Sequence, residues 1–510
     1  MKWYPFRSFA YPFFLFCFII FSSCGSGNKK KEVVLYDTYC ASCHLPPAIE
    51  GLPKHIWKDN ILPEMGARLG IRDNGYDPLK DLHFGEQAML LEKGIYPFSP
   101  MLDVADWELL RDYIIAIAPD SLPDQQSYNA AKPLEGFSKQ LISLDDKDQS
   151  LFTYLKYDEE ITKLRLGDLT GYLLEYDFKT DTLIPKARLA SAVVDHYDRD
   201  GLSFTTSIGS IRPTALSTGQ VYTWQNETPM AMPLIFHRPV HTLVEDLNND
   251  GKKELIVSEF GDLTGSLSLL WDKGNSTYEK RILLNQPGAI RVVAKDMNQD
   301  QRKDLVVITS QGDEGITILY QKDALNFESE KVIRFSPLYG SSWFELIDYD
   351  GDGDEDIITV NGDNADESYV HKPYHGMRIH LNNGENQFEE TYFYPMNGAS
   401  RVVAHDFDQD GDIDFGLVST FPDYATRPDY SFVYLENMDS DSYTFDPHII
   451  KNPDARWFLM DTGDIDGDGD EDIILSAFTY GFTPVPKEFT EAWKEKKVDL
   501  MVLRNQLINK

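Results

Sequence analysis

The sequence predicts a multidomain protein: a small all-α domain followed by an all-β, seven-bladed propeller. Three observations carry that prediction. A nine-residue acidic pattern, Asp-x-Asp/Asn-x-Asp-x-x-x-Asp/Glu, recurs five times at intervals of 50–58 residues from position 246 onward. Each copy runs into a short apolar strand, and repeats of this length filled with short strands mark propeller blades. The segment before position 120 lacks the pattern and instead carries helical periodicity with a compact cysteine motif.

Taken in order, residues 1–23 read as a secretory signal. Lys2 and Arg7 form a basic start, and Tyr11–Phe21 is an apolar run too short to span a bilayer comfortably. Phe21-Ser22-Ser23-Cys24 resembles a bacterial lipoprotein cleavage site, so Cys24 is the expected lipidation site and residues 24–32 a tether. The expected location is outside the cytoplasm, lipid-anchored in a bacterial membrane, the outer membrane in a Gram-negative cell. The chain has 4 Cys. With Cys17 removed and Cys24 acylated, Cys40 and Cys43 are the only thiols left, which excludes a disulfide framework.

Those two thiols lie in Cys40-Ala41-Ser42-Cys43-His44. Cys-x-x-Cys-His is the attachment sequence of a c-type haem: two thiols join the macrocycle edge and the adjacent histidine reaches the iron. A redox dithiol would not need the histidine, and zinc would need a second ligand pair. Downstream candidates for the sixth ligand are Met65, His83, Met89 and Met101. Met101 is favoured, because Tyr96-Pro97-Phe98-Ser99-Pro100-Met101 is an extended, proline-held loop. Asp103 is a plausible N-cap for a helix over Trp107–Ala118, stopped by Pro119. Leu109, Tyr113 and Ile117 are expected to pack on a first helix through Leu35 and Tyr39. The helical domain is therefore placed at 33–119, followed by a linker at 120–136 rich in Pro, Asp and Gln.

The five acidic loops read as calcium sites. Their ligand sets are Asp246, Asn248, Asp250 and Glu254; Asp296, Asn298, Asp300 and Asp304; Asp348, Asp350, Asp352 and Asp356; Asp406, Asp408, Asp410 and Asp414; and Asp464, Asp466, Asp468 and Asp472. Oxygens at positions one, three and five converge, and the carboxylate at position nine closes a hard-oxygen shell. Glycine at position six permits the turn in every copy but the second, which has Gln301. The first two copies offer three carboxylates and are expected to bind more weakly. An EF-hand is excluded, since strands follow the loops: Leu255–Ser258, Leu305–Thr309, Ile357–Val360, Phe415–Ser419 and Ile473–Ser476. Two degenerate units, Leu151–Lys186 and Ala190–Arg238, bring the blade count to seven. The propeller then spans 137–510, and the last outer strand is expected from Phe137–Leu144, closing the ring.

Blade topology also predicts a ligand face. Loops between second and third strands emerge opposite the calcium loops and are long at Asn361–Gly376, Phe421–Asp429 and Thr479–Lys497. They place Lys372, Tyr374 and His375 on that face. His241, Arg291, Trp343 and Arg401 stand five residues before the first calcium ligand of their units, with Trp457 nearby in the last. Such a ring suits an anionic or sugar-like ligand, or docking of the helical domain. The net charge of −35, from 48 basic and 83 acidic residues, disfavours nucleic acid as a partner. No hydrolase, flavin or nicotinamide fingerprint is present.

The helical segment resembles a class I cytochrome c domain over roughly Val33–Pro119. The acidic units resemble the FG-GAP/VCBS repeats of integrin-like β-propellers. The combination is similar to a family of bacterial surface proteins that fuse such propellers to a haem domain. Asn361-Gly362-Asp363-Asn364 and Lys372-Pro373-Tyr374-His375-Gly376 match that family. The resemblance implies covalent haem c, about five Ca2+ ions and electron transfer with a redox partner protein, a small molecule or a carbohydrate. A lectin-like adhesion protein with a sensory or structural haem is the alternative.

Overall fold

The computed structural model describes residues 30–125, 131–274, 277–363, 368–481 and 483–507. The signal segment and Cys24 lie outside them.

Seven antiparallel sheets follow one another along the chain and close into a ring. Blades 1 to 5 are each built from four consecutive strands, spanning 152–188, 193–231, 239–284, 289–334 and 341–395. Blade 6 (399–449) gains a fifth, parallel strand from Lys132–Pro133. Blade 7 has three strands of its own, from Trp457–Gly463 to Leu500–Asn505, and takes its outer strand from Phe137–Ile142. That pairing runs from Phe137 opposite Asn505 to Ile142 opposite Leu500, the closure expected from the sequence. A seven-bladed propeller is thus the fold, and closure by the far end of the domain leaves no open edge between first and last blades.

The second strand of each blade with an acidic loop is buried along its whole length, as in Glu254–Glu259, Asp304–Thr309 and Asp356–Asn361. Such strands are covered on both faces by neighbouring blades. This explains why they read as continuous apolar runs rather than alternating ones. Each fully buried Val, Leu or Ile contributes roughly 1.5–3 kcal/mol of transfer free energy. The clusters around Ile358, Val360 and Leu417 and around Ile256, Leu269 and Val307 join adjacent blades.

All seven inner strands carry a β-bulge at the same place, one residue before Tyr154, Asp195, His241, Arg291, Trp343, Arg401 and Leu459. A bulge re-aims the side chain that follows it. Here it turns one side chain per blade into the central channel.

The segment before residue 120 is helical. Its elements are Lys31–Leu35 running into Tyr36–Cys40, a helical stretch from Lys54 to Arg68, Phe84–Glu92 and Val104–Ile117. They enclose a core of Leu35, Ile56, Trp57, Leu62, Trp107, Leu110 and Ile114. The last helix is partly rotated from the expected phase: Tyr113 packs on the core with Leu35 and Tyr39 as expected, but Trp107, Leu110 and Ile114 are the buried residues and Leu109 and Ile117 are more than one-third exposed. Both sets fit a 3.6-residue period, and the bulk of Trp107 decides which one turns inward. Asp103 occupies the N-cap position but its side chain makes no capping bond.

Gly66 lies against that tryptophan. A Cβ there would sit 2.8 Å from Cζ2 of Trp107. Gly66→Ala is therefore expected to destabilise the helical region by about 1–3 kcal/mol, measured as a lowered melting temperature.

Candidate functional site

Three groups of residues singled out by the sequence can now be placed. The five acidic loops share one geometry. At position one, Asp246, Asp296, Asp348, Asp406 and Asp464 each accept the backbone N–H of position six, at 2.7–3.1 Å. At position nine, Glu254, Asp304, Asp356, Asp414 and Asp472 accept the N–H of position two, at 2.9–3.1 Å. The second oxygen of Asp304, Asp356, Asp414 and Asp472 takes a backbone N–H from the third strand, at Gln321, Asn382, Asn437 and Asn505. The last carboxylate thus fastens the loop to the blade. Burial pushes Asp414 and Asp472 up to about 7 and Asp356 to about 6. A cation would offset that penalty.

Among the described residues, carboxylate oxygens gather within 4.8 Å of one another in three loops: Asp348, Asp350 and Asp356; Asp406, Asp408 and Asp414; Asp464, Asp466 and Asp468. These are the copies with four carboxylates. Sequence reasoning missed the residue at position two. Leu247, Met297, Tyr349, Phe407 and Ile465 are all buried. The carbonyls of Leu247, Met297 and Phe407 accept side-chain amide bonds from Gln321, Asn386 and Asn505 of the next blade, at 2.7–2.9 Å. An apolar residue at position two in all five copies was the signal for this stitching.

The cysteine motif closes the first helix. Cys40 is half-buried and Cys43 exposed, and the two thiols are not bonded to each other. Burial pushes the Cys40 thiol up to about 12, the opposite of what an activated dithiol needs. His44 Nδ1 lies 2.9 Å from the carbonyl oxygen of Leu45. With Nδ1 donating there, Nε2 keeps its lone pair for a metal. Met101 is 59% exposed on its loop, and its N–H is held by Leu69 O at 2.9 Å. The buried indole N–H of Trp107 has no acceptor among the described residues. Cys40, Cys43, His44 and Met101 are the side chains that would hold a covalent haem.

The expected ligand face divides in two. His241, Arg291, Trp343 and Arg401 line the upper part of a central channel of about 960 Å3. Arg291 grips Glu345 with both guanidinium nitrogens, and the Trp343 indole N–H donates to the same carboxylate at 2.7 Å. The guanidiniums of Arg291 and Arg401 stand 4.2 and 4.3 Å from the Trp343 ring. Across the channel, Lys156 pairs with Asp461 at 2.9 Å. Burial, and secondarily Arg291, lowers His241 to about 3, so the imidazole is neutral. Trp457 is buried between blades, and Leu459 takes the ring position in blade 7.

Lys372, Tyr374 and His375 are instead covered. Lys372 and His375 are almost wholly buried. The Tyr374 hydroxyl donates to Gly51 O of the helical region at 2.9 Å, and its ring stacks on Tyr339 with centroids 5.4 Å apart. Leu338 joins the helical core. On the other side of the channel mouth, Glu86 accepts from Thr214 Oγ1 at 2.8 Å and from Ala215 N at 2.7 Å. Leu90 and Tyr96 pack on Ala215, with Leu263 beside them. The helical region thus docks on the loops opposite the acidic loops, from blade 2 to blade 5.

A family model matches part of the propeller. Residues 246–307 and 296–359 match the FG-GAP-like repeat. The chain is a seven-bladed β-propeller carrying FG-GAP repeats, with a helical region at one end of its channel. A search of curated proteins finds no match. Among solved structures it is similar to the β-propeller domain of Myceliophteria thermophila Cps50 (Swd1). The identity is 10% and the TM-score 0.41, over 64% of this chain and 94% of that one.

Proposed function

We propose that the protein is an exported, lipid-anchored, mono-haem c-type cytochrome that transfers electrons, fused to a calcium-stabilised propeller that binds a partner or substrate. The observation that carries this reading is the state of the cysteine motif: two unpaired thiols at a helix end, followed by an imidazole whose Nδ1 faces a carbonyl. Bound through Cys40, Cys43 and His44, the haem would supply a one-electron couple, and a Met101 thioether would raise its potential and favour transfer over oxygen chemistry.

The chain's own residues do the rest. The apolar core around Leu35, Trp57 and Trp107 keeps water from one side of the motif. Tyr374, Glu86 and Leu263 hold the helical region on the propeller, so an electron-exchanging group and a binding channel belong to one assembly. A guanidinium from each of two neighbouring blades lies close to Trp343, so the ring offers no open face for stacking a neutral sugar.

The test is a pyridine haemochrome spectrum of protein expressed with export and haem-attachment machinery. A c-type spectrum with one haem per chain is the expected result; apoprotein under those conditions refutes the reading. Met101→Ala should then abolish the far-red methionine–iron band and lower the reduction potential. An unchanged band places the sixth ligand elsewhere.

A further inference from the structure

The overall charge is −35, yet two guanidiniums meet at one ring on the channel wall. Blades 4 to 6 contribute Arg291, Glu345, Asp363 and Arg401 to the lining. Glu345 is engaged through both oxygens by Arg291 and by the Trp343 indole. Arg401 has no carboxylate partner among the described residues. Its one hydrogen bond there runs from Nη1 to its neighbour's carbonyl, Ser400 O, at 2.9 Å. A guanidinium carries five N–H donors, so most of this fork faces the channel without a protein acceptor. Stacking on Trp343 holds it there. An unpaired cation inside a narrow, partly dehydrated channel is costly unless something anionic completes it.

We infer that this wall of the channel, centred on Arg401, is a binding site for a small molecule bearing a carboxylate. The planar fork matches a carboxylate in bidentate fashion. Glu345 and Asp363 line the same wall, and their negative charge selects a monoanion over a phosphate dianion. His241 adds a neutral donor: its Nδ1 accepts from Val292 N at 3.5 Å, leaving the proton on Nε2. Leu459 and Val403 supply apolar wall. At about 960 Å3 the channel admits either a simple organic acid or a uronic sugar. This inference deepens the propeller's role as the binding half of the protein and does not depend on the haem.

The test is isothermal titration calorimetry on the full chain with lactate, glucuronate, inorganic phosphate and glucose. Saturable binding of one or both carboxylates in the millimolar range or tighter is expected, with phosphate weaker and glucose silent. Lactate against glucuronate separates an organic acid from a sugar acid. Arg401→Gln should weaken binding at least about tenfold, and Arg401→Lys should retain part of it. If the Gln variant unfolds, the Lys variant and the phosphate comparison still decide. No binding of either carboxylate, equal binding by Arg401→Gln, or tighter binding of phosphate overturns the inference. Failure here shows in binding heats alone, whereas failure of the electron-transfer reading shows in the haem spectrum.

Discussion

Removing calcium is expected to lower the melting temperature of the propeller by roughly 10 °C or more. At free calcium 100-fold above the dissociation constant, each site adds about 2.7 kcal/mol. The three loops whose carboxylates already converge would together add about 8 kcal/mol if independent. Scanning calorimetry with calcium and with chelator checks this; coincident transitions would refute the assignment. Two substitutions separate metal binding from scaffolding. Asp408→Asn removes a ligand charge and should reduce the calcium-dependent gain while leaving the chelated protein unchanged. Asp414→Asn should destabilise even the chelated protein by about 1–3 kcal/mol. Both Asp414 oxygens accept backbone N–H groups, from Phe407 and Asn437, and an amide nitrogen cannot accept.

The second large effect concerns the cysteine motif. Cys40→Ala is expected to remove one thioether and leave haem that is lost or extracted by acidified solvent, where wild type retains it. Cys40→Ala with Cys43→Ala should leave no covalent haem at all. Because Cys40 is half-buried beside the core of Leu35 and Trp107, its replacement should also loosen the helical region, whereas the propeller transition should not move. Retention of covalent haem by the double variant, read on a denaturing gel stained for haem, would contradict the proposal. The loss is expected to be nearly total, larger than for Met101→Ala, since a covalent link is broken rather than one coordinate bond.

Much of the propeller was legible because its signals are local and repeated. Each acidic loop sets its own turn through bonds between residues five and seven apart, and each following strand is a run of apolar residues. The seven blades, the strand positions and the closing strand followed from that. The helical region was legible only in outline: two helix faces of equal periodicity competed, and the packing of Trp107 against Gly66 chose between them. The ring His241, Arg291, Trp343 and Arg401 was found from its fixed offset to the calcium loops. Its pairing was not, because Arg291 and Glu345 lie on different blades, 54 residues apart. The position-two stitching was missed for the same reason, since its amide donors belong to the next blade.

The sequence by itself determined the local chemistry: where the strands run, which carboxylates converge, and which thiols stand free beside a histidine. The tertiary structure decided what those groups face. It buried Lys372 and His375, placed Tyr374 against Gly51, and aligned seven bulges so that Arg401 reaches the channel without an ion pair to any described carboxylate. Local geometry is encoded by neighbours in the chain. The company a side chain keeps across blades depends on how separately specified sheets close into a ring, and no stretch of sequence contains that.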